Sequence, residues 1–341
     1  MADTGSQPVA AAGAAVRTEV VTSCLVCGSA RLRPWRTDAR DFQQEHADGR
    51  FAYGRCLSCG THVETVRPAE SELAKIYFTG YGPYQQRPVA AAPPPLHPAA
   101  RIAAVPARAL AAGLELVAPS RLATVSHAFY EPPAGGRTLL DYGCGAPTFL
   151  DGARAKGWET LGADFSSDVL EAVAAHGHRT VLAGEELERD VPDGSVAAIR
   201  MNHVIEHLYR PTAAIAQLRR KLEPGGRIHM STPNPRSVGS RVFRRRWLAL
   251  DAPRHVALYP PRVLERLLAD AGFADIRVVH EVGGKDLARS WGILLYESGR
   301  IAHGQIGPMG DDPTRARLFA PVTKLAAMLS AADRYHVFAR A

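Results

Sequence analysis

From Arg137 onward the sequence alternates short apolar runs with amphipathic segments, and that alternation leaves few folds open. "RTLLDYG" reads as a buried strand, "TFLDGARAKG" as a short helix stopped at Gly157, and "WETLGAD" as the next strand. "SSDVLEAVAAHG" follows, with Ser166 or Ser167 as N-cap and an apolar face of Val169, Leu170 and Val173. "RTVLAG", "VAAIRMN", "RIHMSTPN" and "DIRVVHEV" are further strands. "PTAAIAQLRRKLEPGG", with a face at Ile215, Leu218 and Leu222, and "PRVLERLLADAGF" are helices between them. Strands alternating with helices of this length predict a parallel, doubly wound sheet. "DRYHVFARA" reads as a last strand, which makes residues 284–332 an insertion before it.

In such sheets a ligand lies outside the carboxyl ends of the strands, at the first strand-to-helix turn. That turn is "LLDYGCGAPTFL", with Gly143 and Gly145 spaced for a tight loop and Asp164 ending the second strand. An acidic side chain there accepts hydrogen bonds from ribose hydroxyls, so the loop and Asp164 predict an adenosine-bearing cofactor. A dinucleotide fingerprint requires Gly or Ala at the sixth position, where this chain has Thr148.

Four of the five cysteines fall in two matching knuckles, "CLVCG" (Cys24, Cys27) and "CLSCG" (Cys56, Cys59). A thiolate pair on a tight turn supplies two ligands to a tetrahedral Zn²⁺, and two such turns complete a closed, structural Cys₄ site. A redox role is the competing reading, weakened because neither knuckle precedes a helical pattern.

"LLDYGCG", "GADFS", "HVIEHLYRP", "KLEPGGRIHMSTPN" and "AGF" together resemble class I S-adenosylmethionine-dependent methyltransferases over roughly residues 137–283. With the cysteine knuckles in front and "STPN…W…PRH" after the fifth strand, the chain is similar to zinc-ribbon methyltransferases of bacterial sugar and natural-product pathways. The resemblance implies a Rossmann-like, mostly parallel seven-stranded sheet preceded by a small zinc-ribbon module. It also implies that Asp141, Gly143, Cys144 and Gly145 shape the methionine pocket and that Asp164 and Phe165 flank the ribose. Glu185 or Glu186 would lie near the adenine, and Asn202 and His203 at the floor. Two positions depart from the family pattern. Pro147 replaces the third glycine, at about the first helical position where its fixed φ fits, and Ala197 stands where an aspartate usually opens the fourth strand.

Around this domain the sequence divides into a disordered lead-in (1–19), the zinc module (20–66), a linker and helical segment (67–130) and the methyltransferase domain (131–341). The two modules are expected to have separate cores. The linker is tyrosine-rich, then proline-rich; packing at a domain junction is the plain account of Tyr77, Tyr81 and Tyr84, with Tyr81 also a candidate for the acceptor.

Methyl transfer is a displacement, so the enzyme mainly aligns its partners, with a base required for a hydroxyl or carbon acid. His207, His203 and His255 are the candidate bases; bracing the turn is their ordinary alternative role. H-x-x-E-H, from His203 to His207, also has metal-ligand spacing. A lid at 235–260 gathers Arg244, Arg245, Arg246 and Arg254 around Trp247, which favours an anionic small-molecule acceptor, such as a nucleotide-linked sugar. Carbon and oxygen acceptors both fit.

The formal charge of +7 is compatible with anionic partners in general. Nucleic acid is disfavoured, because no extended basic stripe with interleaved aromatics is present. No stretch approaches a membrane span, and the N-terminus lacks a secretion signal, so a cytoplasmic location is expected. Oligomeric state is open. An RNA methyltransferase gripping RNA through its zinc module is one alternative. A catalytically altered cofactor-binding protein, suggested by Pro147 and Ala197, is the other. Titration with S-adenosylmethionine and its demethylated product, then a nucleic-acid gel shift, separates the three.

Overall fold

The computed structural model describes residues 16–42, 50–77, 98–117, 122–133 and 137–341. Tyr81, Tyr84 and most of the proline-rich linker lie outside the described residues.

The main sheet has seven strands: β5 (Thr138–Tyr142), β6 (Glu159–Asp164), β7 (Arg179–Leu182), β8 (Val196–Asn202), β9 (Leu222–Pro233), β11 (Ala274–His280) and β12 (Arg334–Arg340). Their order is β11-β12-β9-β8-β5-β6-β7, with only β12 antiparallel to its neighbours. The central strands are apolar runs because both faces are covered; Leu139, Leu140, Ala198 and Ile199 are solvent-free. Helices cover the faces through i, i+4 stripes. Pro261–Asp270, for instance, starts on a proline and buries Val263, Leu264, Leu267 and Leu268. The helix expected to run through "KLEPGG" stops at Lys221, and Leu222 already belongs to β9. Pro147 is the N-cap of helix Thr148–Ala155 rather than its first residue, with φ −71°.

Between β11 and β12 the chain forms four helices, Lys285–Glu297, Ile306–Asp311, Pro313–Leu318 and Ala320–Met328. The earlier helix Pro98–Val117 packs on the last two, with Glu115 paired to Lys324 at 2.5 Å.

The N-terminal segment forms a second, antiparallel sheet from β1 (Thr18–Val20), β2 (Leu32–Ala39), β3 (Phe51–Cys56) and β4 (His62–Pro68), in the order β1-β4-β3-β2. Two expectations are corrected here. Thr18–Val20 pairs with Val66–Pro68, so the end of the lead-in is ordered by backbone hydrogen bonds. The two modules also share a core. Strand β10 (Ala257–Leu258), in the expected lid, pairs with β4 at His62 and Val63. Ala39, Phe51 and Tyr53 pack with Trp247, Leu250 and Leu258 in one buried cluster. Among the described residues no helix is long and apolar enough to cross a membrane.

Candidate active site

A cavity of about 1190 Å³ opens at the carboxyl ends of β5, β6 and β8. It exceeds the volume that holds one drug-sized ligand, roughly 300–1,000 Å³, and so has room for a cofactor and an acceptor side by side.

The turn after β5 forms one half. Gly143 (φ 74°) and Gly145 (φ 61°) are in the left-handed region. A Cβ on Gly143 would lie 2.4 Å from Val204 Cγ2, so only glycine fits. Asp164 knits this loop to the next one. Its Oδ2 accepts from the Gly145 N–H at 2.9 Å, and its Oδ1 accepts from the N–H groups of Phe165 and Ser166 at 2.8 and 3.1 Å. Burial pushes its pKa up, against the pull of those three N–H groups. Oδ2, with a single donor, keeps a lone pair for a ligand hydroxyl. Gly143, Cys144, Gly145, Asp164, Phe165, Glu185, Asn202 and His203 all line the cavity. Glu186 instead accepts from the Leu182 N–H at 3.4 Å.

Asp141 is the exception among the residues expected at the cofactor. Its solvent-free carboxylate lies beneath the loop, with both oxygens 2.9 Å from Arg200 Nη1, and it does not reach the cavity. Burial pushes its pKa up to about 6 despite Arg200. The group presented to a ligand is Arg200, stacked on Phe149 at 4.0 Å. Sequence reading missed it, although a lone arginine inside the apolar run "VAAIRMN" was its signal.

The other half is built by the turn after β8 and by residues 248–255. His203, with φ 56°, swings the chain out of β8 into the 3₁₀ turn Ile205–His207. Its two nitrogens are engaged by Glu206 Oε1 and Arg334 Nη1, both at 3.0 Å, so that His203 braces the turn. His207 and His255 do converge on the cavity, their rings edge-to-face with centroids 4.7 Å apart. Burial and the charge of His255 lower the His207 pKa to about 4, so its ring is neutral near pH 7. Tyr77, Asp251, Arg289 and Arg334 complete this wall. Tyr77 was read as junction packing; its hydroxyl lies 2.7 Å from His207 Nδ1.

Three of the four candidate substrate arginines are used internally, against the expectation of a basic lid. Arg254 is 1% exposed and donates to Asp41 and Asp251 at 2.5–3.0 Å. Arg245 and Arg246 both pair with Glu297. Arg244 occupies a left-handed turn (φ 54°), and Trp247 is buried with its Nε1–H donated to Asp333 at 2.7 Å. None of the five lines the cavity.

The four knuckle cysteines come together away from this cavity, their sulfurs all within 4.8 Å of one another. Cys24–Cys59 and Cys27–Cys56 are 3.5 and 3.6 Å apart. Thiolates about 2.3 Å from a tetrahedral zinc would lie roughly 3.8 Å from each other, so the set fits that ion.

Residues 111–278, just under half of the chain, match the family model described as "Methyltransferase domain". An uncharacterized 37.1 kDa protein in transposon TN4556 of Streptomyces fradiae is 32% identical over 160 residues, 42% of this chain and 45% of that protein. The ubiquinone biosynthesis O-methyltransferase of Dechloromonas aromatica is 30% identical over 115 residues, 32% of this chain and 49% of that one. The chain thus spans about half the length of the curated relatives it matches. A solved S-adenosylmethionine-dependent methyltransferase from Archaeoglobus fulgidus is 20% identical, with TM-score 0.45 over 64% of this chain and 90% of that one.

Proposed function

We propose, from the match of residues 111–278 to a methyltransferase-domain family, that this protein moves a methyl group from S-adenosylmethionine to a hydroxyl of a small molecule. The observation that carries the reading is one continuous cavity running from the Gly143–Gly145 loop to the His207–His255 pair. The loop and Asp164 would hold the adenosine part, with Glu185 at the adenine end and Arg200 facing the amino-acid carboxylate. Bound there, the sulfonium supplies an electrophilic methyl carbon.

What remains is alignment and loss of the acceptor's proton. His207 and His255 both line that end of the cavity, and the lowered pKa of His207 keeps its ring neutral there. Oxygen is favoured over carbon as the acceptor atom because matching relatives are named O-methyltransferases. An anionic acceptor loses much of its support now that Arg245, Arg246 and Arg254 are ion-paired. A natural-product or quinone-like hydroxylated compound suits the cavity. We assign zinc to Cys24, Cys27, Cys56 and Cys59 as a structural ion.

Calorimetry with S-adenosylmethionine and S-adenosylhomocysteine tests the cofactor half. Methyl-labelled cofactor offered with a panel of phenols, sugars and hydroxy acids then tests transfer. A chain that binds neither nucleoside has no such function.

A further inference from the structure

Within that reading, the geometry points to a second metal site, separate from the four cysteines: we propose that Glu206, His207 and His255 hold a divalent first-row transition-metal cation at the acceptor end of the cavity. Their ligand atoms all lie within 4.8 Å of one another.

The tautomers are set by what stands behind each ring. His255 Nδ1 is 2.9 Å from the Ala249 carbonyl, which only accepts, so Nδ1 carries the hydrogen and Nε2 the lone pair. His207 Nδ1 lies 3.0 Å from the Arg254 carbonyl and 2.7 Å from the Tyr77 hydroxyl, which itself donates to that carbonyl at 3.3 Å; an Nδ1 hydrogen shared between these two oxygens leaves the lone pair on Nε2. Glu206 is fully buried; its Oε2 accepts from the Thr232 hydroxyl at 2.9 Å and its Oε1 from His203 at 3.0 Å. One lone pair on each oxygen remains. Each ligand therefore has an outer partner that orients it, as metal-binding imidazoles and carboxylates do.

His255 Nε2 does not hydrogen-bond to either neighbouring carboxylate. It lies 4.0 Å from Glu206 Oε1 and 3.8 Å from Asp251 Oδ2, beyond hydrogen-bond reach. Ligands about 2.0–2.2 Å from a shared ion are roughly 3–4.4 Å apart. Two imidazoles that line the cavity and one carboxylate buried beside them suit zinc, manganese, iron or cobalt in the divalent state.

The proposal changes how the acceptor is activated. Its hydroxyl, bound at an open position, releases the proton to solvent. The oxygen then bonds to the methyl carbon as the carbon–sulfur bond breaks. His207 and His255 are ligands in this step.

The probe is Mn²⁺ alone, titrated into the full chain whose cysteine site is already filled with zinc, with free Mn²⁺ read by its paramagnetic resonance signal. About one Mn²⁺ per chain is expected. Its affinity should fall about 100-fold in His255→Ala and about 10-fold in Thr232→Val, which removes only the partner behind Glu206. S-adenosylhomocysteine affinity should be unchanged in both, which also shows that they fold. No Mn²⁺ bound by the wild type, or binding unaltered in both variants, overturns the site. If Mn²⁺ binds as expected while no acceptor is methylated, the transferase reading fails and the metal site stands.

Discussion

The phenol of Tyr53, on the N-terminal sheet, donates its hydrogen to the backbone carbonyl of His255 at 2.8 Å, across a fully buried contact. The cysteine module thus sits directly behind the acceptor-side histidine. Tyr53→Phe leaves that carbonyl buried and unpaired on this side, at a cost of about 1–3 kcal/mol. We expect a lower melting temperature and slower turnover with S-adenosylmethionine affinity unchanged. A weakened cofactor affinity in calorimetry would place the effect elsewhere.

Stripping zinc, or Cys24→Ser, should act the same way and more strongly. β4 carries the pairing with β10, and Leu25 and Val26 pack against the main core. Structural zinc sites contribute folding free energy outright. Elemental analysis should find one zinc per chain in protein prepared without chelator, and the serine variant should lose turnover along with it. Full activity in zinc-free protein would contradict this.

Asp164→Ala should weaken S-adenosylmethionine binding by about 1–3 kcal/mol, because ribose hydroxyls and three loop N–H groups lose a charged partner together. Calorimetry measures it, and an unchanged affinity would mean that the adenosine lies elsewhere. Pro147→Gly is the companion variant and should bind equally well or better.

Arg254→Ala distinguishes an internal ion pair from an acceptor contact. Breaking a buried pair takes the guanidinium away from Asp41 and Asp251, at about 3–5 kcal/mol. Denaturant unfolding should register that loss. A variant of normal stability with only a raised acceptor KM would restore the substrate role.

Asp333 governs a pH effect. Burial, and then the charge of Asp286, push its pKa up to about 6 from 3.8. The folded state holds this proton where the unfolded chain has released it, so the stabilisation is complete below about pH 4 and is lost as pH rises through about 6. Asp333→Asn should flatten that slope, a difference of about 2–3 kcal/mol between pH 4 and pH 7. Parallel curves for the two proteins in denaturant melts would remove Asp333 as the cause.

The sheet was legible because buried parallel strands are written as apolar runs, and the glycine loop because Gly143 has no room for a side chain. The arginines were misread for the opposite reason. In the sequence "RRRWLALDAPRH" is a dense positive charge, while the partners that neutralise it, Asp41 and Glu297, lie far away along the chain. Arg200 and Asp141 were separable in sequence only by noticing a charge where an apolar residue belonged. The placement of His255 against His207 depends on β10 joining a sheet made by residues 18–68, which no local pattern reports.

That same two-residue strand has a consequence for how the chain comes off the ribosome. The first sheet emerges early, yet Trp247, Leu250 and Leu258, which close its core, are synthesised nearly two hundred residues later. Until then Phe51 and Tyr53 have one face without its final covering, a delay of roughly ten to forty seconds at about 5–20 residues per second. Metal capture by the knuckles is the one local event available to hold the nascent sheet during that wait. Zinc supply during synthesis, rather than afterwards, would then decide the yield of intact protein.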